Sequence, residues 1–314
     1  MEAVVNVVLP VFALMASGYG AGRLRLLGDA ASEALNGFVY WFALPALLFH
    51  AMVKVPVADV FHLPFLAAFG GAFIATYLLG MATGLFSASL LAAGPSLAHR
   101  GLQGLSASFA NTGYMGIPLY ITAFGADRAL PAVVATVFTV GIGLVLAIAV
   151  TEIGRPGRAR RGVARDLGLA LLRNPLLGAT AAGLAMSAAG IGLPRPVATY
   201  LDLLGATAGP GALFAIGLFL VGKPLAGNLP ELAWITLCKL AIQPLIAAWL
   251  AFGVFTMDRH WAAAAVIMSA LPTGALAFVV AQRYGIYVAG TSTAILSTTA
   301  ASFVTLSVVL TLLG

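Results

Sequence analysis

Ten apolar stretches of about 20 residues or more follow one another along this chain, and that spacing restricts its fold more than any motif does. A helix of about 20 residues spans the hydrocarbon core of a bilayer, about 30 Å thick. The stretches fall at 4–22, 33–53, 63–91, 101–123, 130–153, 173–193, 197–222, 230–254, 261–282 and 287–313. Only 8% of the residues are charged and 61% are hydrophobic, against about 25% and 45–50% in a soluble domain. The expected fold class is an all-α polytopic membrane protein with ten transmembrane helices.

The net charge of +6 raises the question of nucleic acid, but the basic residues form no face interleaved with aromatics. They sit between the spans and report orientation. With the N-terminus outside, eleven Lys and Arg fall on the inner side, Arg155, Arg158, Arg160, Arg161 and Arg165 among them. Four fall on the outer side, and Lys239 lies inside a span. Ten spans then place the C-terminus outside as well, and the expected location is a bacterial inner membrane. The start lacks the positive n-region of a secretory signal and reads as an uncleaved first span. One cysteine, Cys238, gives neither a disulfide framework nor a thiolate metal cluster. His50, His62, His99 and His260 are scattered, mostly at span ends, with no HExxH and no nucleophile–base pair, so an enzyme is not expected. No cofactor or metal site is expected either.

The one distinctly polar connection, 154–172, divides the chain into 1–153 and 173–314, with five spans each. An odd number of spans per half gives the halves opposite topology, as an inverted repeat requires. Short matches support the repeat. Leu63-Pro64 opens span three and Leu229-Pro230 opens span eight; Pro45-Ala46-Leu47-Leu48-Phe49 resembles Pro210-Gly211-Ala212-Leu213-Phe214; Phe124-Gly125 and Tyr284-Gly285 close spans four and nine. Spans four and nine also share an interruption. Asn111, Thr112, Gly113, Gly116 and Pro118 break the first, and Pro272, Thr273 and Gly274 break the second. A freed backbone group in hydrocarbon costs several kcal/mol unless it is satisfied, so broken helices persist there only inside protein or beside a wet cavity. Paired breaks in two halves are a pointer to a midplane substrate site. The plainer alternative for either break alone is a kinked packing helix.

These residues resemble the auxin efflux carrier family, which includes the plant PIN carriers and bacterial organic-acid and malonate transporters. The resemblance is carried by Asn111 to Leu119, Gly211 to Gly217, Lys239 to Pro244, Leu271 to Gly274 with Ala281 to Gly285, and Ser292 to Thr298. It implies two inverted five-helix repeats related to the bile-acid sodium symporters, with broken helices four and nine crossing. It also implies a scaffold of helices one, two, six and seven that dimerises, a transport domain of helices three to five and eight to ten, and an elevator mechanism.

A helix N-terminus carries about half a positive charge and unpaired N–H groups, so it holds an anion without a side-chain cation. The expected substrate is a small organic anion such as a malonate-like dicarboxylate; monocarboxylates and indole acids are the alternative, and a channel or a receptor is a more distant one. Asn111, Thr112 and Thr273 supply polar groups, Gly113, Gly116 and Gly274 permit close approach, and Pro118 and Pro272 remove backbone donors. Lys239 reads either as a partner of the substrate carboxylate or coupling step, or as a side chain snorkelling to the inner interface. The coupling ion, proton or sodium, is not readable. His50 reads as a solvated or hydrogen-bonded histidine, with a proton relay as the lesser alternative; for Asp202, near the outer start of span seven, a proton- or cation-carrier role is the lesser reading; and the hydroxyls from Ser292 to Thr299 read as sodium ligands or as groups bonded to the preceding turn. Gly18 and Gly22, Gly80 and Gly84, and Gly205 and Gly209 have GxxxG spacing and read as packing contacts.

Overall fold

The computed structural model describes residues 4–56, 61–87, 95–154, 172–222 and 229–313. Residues 88–91 at the end of span three and the basic cluster from Arg155 to Arg165 lie outside the described residues. The structure is all helical: α1 Leu9–Arg23, α2 Ala30–Val53, α3 Leu63–Ser87, α4 Leu97–Ser108, α5 Ile117–Phe124, α6 Leu130–Ile153, α7 Pro175–Ala188, α8 Arg195–Leu220, α9 Leu229–Val254, α10 Arg259–Ser269, α11 Leu276–Tyr284 and α12 Val288–Leu313. Six of them (α2, α3, α6, α8, α9 and α12) are long and apolar enough to cross a membrane, and α7 is a shorter apolar helix. The chain is therefore a multi-pass membrane protein. Spans four and nine each come as two pieces, α4 with α5 and α10 with α11.

Local sequence explains where the helices start and stop. Asn174 caps α7 by accepting from the N–H groups of Leu176 and Leu177, with Pro175 in the first turn, where its missing donor costs nothing. Asp258 caps α10 through His260 and Trp261, and Ser96 caps α4 through His99. Helix α7, the sixth expected span, stops at Ala188, short of the expected residue 193, because Gly190 turns the backbone left-handed at φ 66°.

Two compact units divide the chain, and each draws on both halves of the sequence. The first comprises Met1–His62, Thr112–Val137 and Leu171–Gly222; the second comprises Leu63–Asn111, Phe138–Ala170 and Lys223–Gly314.

Close backbone contact between small residues organises the first unit. A Cβ on Gly18 of α1 would stand 2.1 Å from the carbonyl oxygen of Phe214 on α8, and one on Gly217 would stand 1.9 Å from that of Met15. Neither neighbour is a side chain that could swing aside, so both positions require glycine. In the same way Gly183 of α7 abuts the backbone of Phe49, and Gly205 of α8 abuts that of Leu47. These contacts match the packing role expected of Gly18 and Gly205. Without a hydrophobic difference between helix and lipid, such dispersion contacts are a main source of helix association in a membrane.

An aromatic ladder organises the second unit. Phe65, Phe69, Phe73 and Tyr77 recur every four residues along one face of α3 and are all buried. Phe65 stacks on Phe69 and Phe73 on Tyr77, while Phe138 of α6 meets Phe69 and Phe73 edge-on and Trp261 of α10 meets Phe65. At the other end of α3, Gly80 lies against Ala107 of α4, and Gly104 of α4 lies against the Tyr77 carbonyl. This brings the carboxyl end of α4 firmly onto α3.

Candidate functional site

Within the second unit the two interrupted spans meet. The first half of span four ends at Ser108 and the first half of span nine ends at Ser269. Beyond those ends Phe109 is extended, with φ −73° and ψ 96°. A helix end leaves its last carbonyls without intrahelical partners, and the extended residues just beyond these two ends bond to each other across the crossing. Asn111 N–H donates to the Pro272 carbonyl at 2.9 Å, and Gly274 N–H donates to the Phe109 carbonyl at 2.8 Å. The result is a single antiparallel β-type bridge, Ala110 to Thr273, in a helical protein.

Thr273 is the centre of this arrangement. Its hydroxyl donates to the Ser106 carbonyl at 2.7 Å, and its N–H donates to the Thr298 hydroxyl oxygen of α12 at 3.1 Å. The Thr298 hydroxyl in turn donates to the Ala294 carbonyl at 2.6 Å. Ser106 donates to Thr291 at 3.3 Å. Gly274 belongs to the close approach as well, since a Cβ there would lie 3.0 Å from the Phe109 ring and 3.2 Å from the Asn111 Cα. Among the described residues the Asn111 side-chain amide takes no part in the bonds that hold the crossing, although the residue is only 6% exposed. The amino end of α11 follows at once. Ala277 N–H is taken by the Gly274 carbonyl and Phe278 N–H by the Ala275 carbonyl, while among the described residues the N–H groups of Ala275 and Leu276 make no hydrogen bond.

Lys239 and Gln243, one turn apart on α9, close the two carboxyl ends. The Lys239 Nζ donates to the Ser269 carbonyl at 2.7 Å and to the Gln243 Oε1 at 2.5 Å. Gln243 Nε2 donates to the Ser108 carbonyl at 3.0 Å. Both side chains are completely buried, so Lys239 does not snorkel to an interface. The backbone at 238–242 forms a wider, π-type turn, a feature frequent at functional positions.

Five of the residues expected at the site (Asn111, Pro272, Thr273, Gly274 and Lys239) thus share one hydrogen-bonded region of the second unit, and Ser106, Gln243 and Thr298 join them. The hydroxyl of Thr298, from the run read as sodium ligands or turn-bonded groups, serves both the preceding turn and the crossing. The other four expected residues, Thr112, Gly113, Gly116 and Pro118, belong to the first unit. There Thr112–Gly116 form a π-type turn leading into α5. Pro118 sits in the first turn of α5 and packs on Gly209, where a Cβ would be 3.2 Å away. The interruption therefore falls at 109–111, upstream of Pro118, because a proline in a first helical turn removes no bond. A Cβ on Gly113 would meet Thr136 at 3.5 Å, an ordinary contact, so space alone does not require glycine there. Also in the first unit, His50 Nδ1 and Asp202 Oδ1 are 2.6 Å apart, a pairing of two residues 152 positions apart in the chain.

Comparison with known proteins identifies the family. The family model described as "Membrane transport protein" matches residues 3–155 and 158–310. A "Putative malonate transporter" of Rhizobium meliloti (strain 1021) is 31% identical over 98% of this chain and 95% of its own length. An "Uncharacterized transporter" of Methanothermobacter thermautotrophicus is 26% identical over 95% of each chain. The mouse "Lysosomal cholesterol signaling protein" is 27% identical over 76% of this chain and 28% of its own length. With nearly its whole length matched, the chain belongs to the membrane transport protein family, that of the auxin efflux carriers, and is a membrane transporter and not an enzyme.

Proposed function

We propose that the protein is a secondary carrier of small organic anions, with a malonate-like dicarboxylate as the leading substrate class. The carboxylate is held at the interruption of spans four and nine by the Asn111 amide and the N–H groups at the amino end of α11. The observation that carries the reading is the state of those groups. The Phe109, Pro272, Ser106, Ser108 and Ser269 carbonyls at the crossing each accept a hydrogen bond, yet among the described residues the Ala275 and Leu276 N–H groups and the Asn111 side-chain amide make none. Donors without acceptors at the positive end of a helix suit an anion. The malonate class rests on the relative that bears that description.

The carrier operates as ten transmembrane helices in two inverted repeats, 1–153 and 173–314. Spans one, two, six and seven form a dimerising scaffold, and the other spans form a transport domain that moves in an elevator manner. Both termini lie outside a bacterial inner membrane. The test is uptake of labelled malonate by proteoliposomes containing wild-type protein or Asn111→Ala. We expect saturable, counter-exchanging wild-type uptake, and a variant with unchanged thermal stability whose uptake is lost. Wild-type kinetics in Asn111→Ala would remove the site from this position.

A further inference from the structure

Two helix carboxyl ends converge on α9. Each concentrates about half a negative charge in its last carbonyls, and each would ordinarily need a cation or water at membrane depth. Broken-helix transporters commonly place a bound metal cation against such unwound carbonyls and half-helix ends. Here the Ser269 carbonyl receives the Lys239 ammonium directly, and the Ser108 carbonyl is reached through Gln243, whose amide relays the contact. The ligands of the ammonium are neutral oxygens, one carbonyl and one amide. Among the described residues no carboxylate pairs with it. The Ser269 hydroxyl beside it is buried and without a hydrogen-bond partner. A lysine held by neutral oxygens at the end of a half-helix has the surroundings of an alkali-metal ion and not those of a buried salt bridge.

We propose that Lys239 is a resident cation of the crossing, covalently supplied, so that the protein forms its substrate site with no alkali-metal ion at these helix ends. Lys239 is then a positioning residue. It holds the carboxyl ends of α4 and α10 together through Gln243, and so fixes the Asn111 and Thr273 backbone beyond them. Carrying its own cation, the site has no need of a sodium ion to assemble, which separates the cost of ordering the crossing from the ion gradient. Removing the side chain leaves the Gln243 amide oxygen and the Ser269 carbonyl without their donor, two neutral oxygens of the kind that a small cation takes.

The inference rests on the crossing being the transport site, and its test is read partly without substrate so that the two can fail separately. Purified wild-type protein and Lys239→Ala are melted in sodium chloride, in N-methyl-D-glucamine chloride, and in the latter with added methylammonium; malonate uptake is measured in proteoliposomes under the same conditions. Wild type should melt at the same temperature in all three and show sodium-independent uptake. Lys239→Ala in N-methyl-D-glucamine should melt lower and take up malonate ~10-fold or more slowly, as expected when hydrogen bonds to a charged group are lost and buried acceptors are left unpaired. Methylammonium or sodium should restore both. Wild-type melting or uptake that rises with sodium overturns the proposal. So does a variant that behaves as wild type without a small cation, or one whose loss no cation reverses, since lost packing then explains it. Should the variant fail to fold, the wild-type comparison between sodium and N-methyl-D-glucamine still decides. Sodium-independent melting together with absent malonate uptake would overturn the substrate reading and leave the resident cation standing.

Discussion

The glycine seam between α1 and α8 and the crossing of the broken spans meet the same constraint, close approach of two backbones, by opposite means. At the seam, intact helices present small residues. Gly18 and Gly217 let carbonyls of the partner helix approach to where a Cβ would be. Every backbone group there stays in its own helix, and the contact needs only shape. At the crossing the helices are opened, and their freed groups bond to each other and to the side chains of Thr273, Thr298, Lys239 and Gln243. The contact there needs chemistry at particular atoms. The first arrangement resists substitution by volume, and the second resists loss of a hydrogen bond while tolerating little change in polarity. A transporter benefits from having both. The seam joins two intact helices by shape alone, and the crossing leaves the Ala275 and Leu276 N–H groups without a hydrogen bond among the described residues.

The largest effect is expected at the seam. Gly217→Val puts a branched side chain where even a Cβ lies 1.9 Å from the Met15 oxygen. Overpacking usually costs about 1–3 kcal/mol, and here the obstacle is backbone. Size-exclusion profiles in detergent should show loss of the monodisperse protein; an unchanged profile would mean that the seam yields to volume.

Next comes Thr273→Val, which keeps shape and removes the hydroxyl that donates to the Ser106 carbonyl. A buried group left unpaired costs about 1–3 kcal/mol, so the melting temperature should fall and uptake with it. Thr298→Val should cost less. It strands only the Thr273 N–H, and interhelical hydrogen bonds in membranes average about 0.6 kcal/mol, with a maximum near 1.7. Smallest of all is Thr76→Val. That hydroxyl donates only to the Ala72 carbonyl of its own helix, four residues back. Melting should stay within about 0.5 kcal/mol of wild type. If Thr76→Val and Thr273→Val proved equal, the polar bonds at the crossing would be no different from hydroxyls elsewhere in the bundle.

Much of the helical layout was readable from composition and spacing, because a membrane segment must be long, apolar and internally hydrogen-bonded. The breaks in spans four and nine were legible for the same reason: Asn111, Thr112, Gly113, Pro272, Thr273 and Gly274 are out of place in a continuous span. The exact point of interruption was less so. Pro118 looked like a breaker, but it stands in a first helical turn, where proline is accommodated. Half of the network at the crossing had no side-chain signal. Ser108 and Ser269 contribute carbonyl oxygens that any residue would carry, and nothing in their side chains marks them as the groups reached by Gln243 and Lys239. Thr298 lay in a run of hydroxyls, none of which could be singled out. The His50–Asp202 pair, separated by 152 positions, was likewise invisible as a pair.

By itself the amino-acid sequence determined that the chain crosses a membrane repeatedly, that two of its spans carry helix-breaking residues at matching positions of the two halves, and that a lysine is carried into the apolar interior. These follow from solvation, which acts on each segment separately. Which carbonyl meets which donor was decided only by tertiary structure. A hydrogen bond depends on positions to within a few tenths of an ångström, and residues such as Gln243 and Ser108, 135 positions apart, reach that tolerance only once the helices between them are packed.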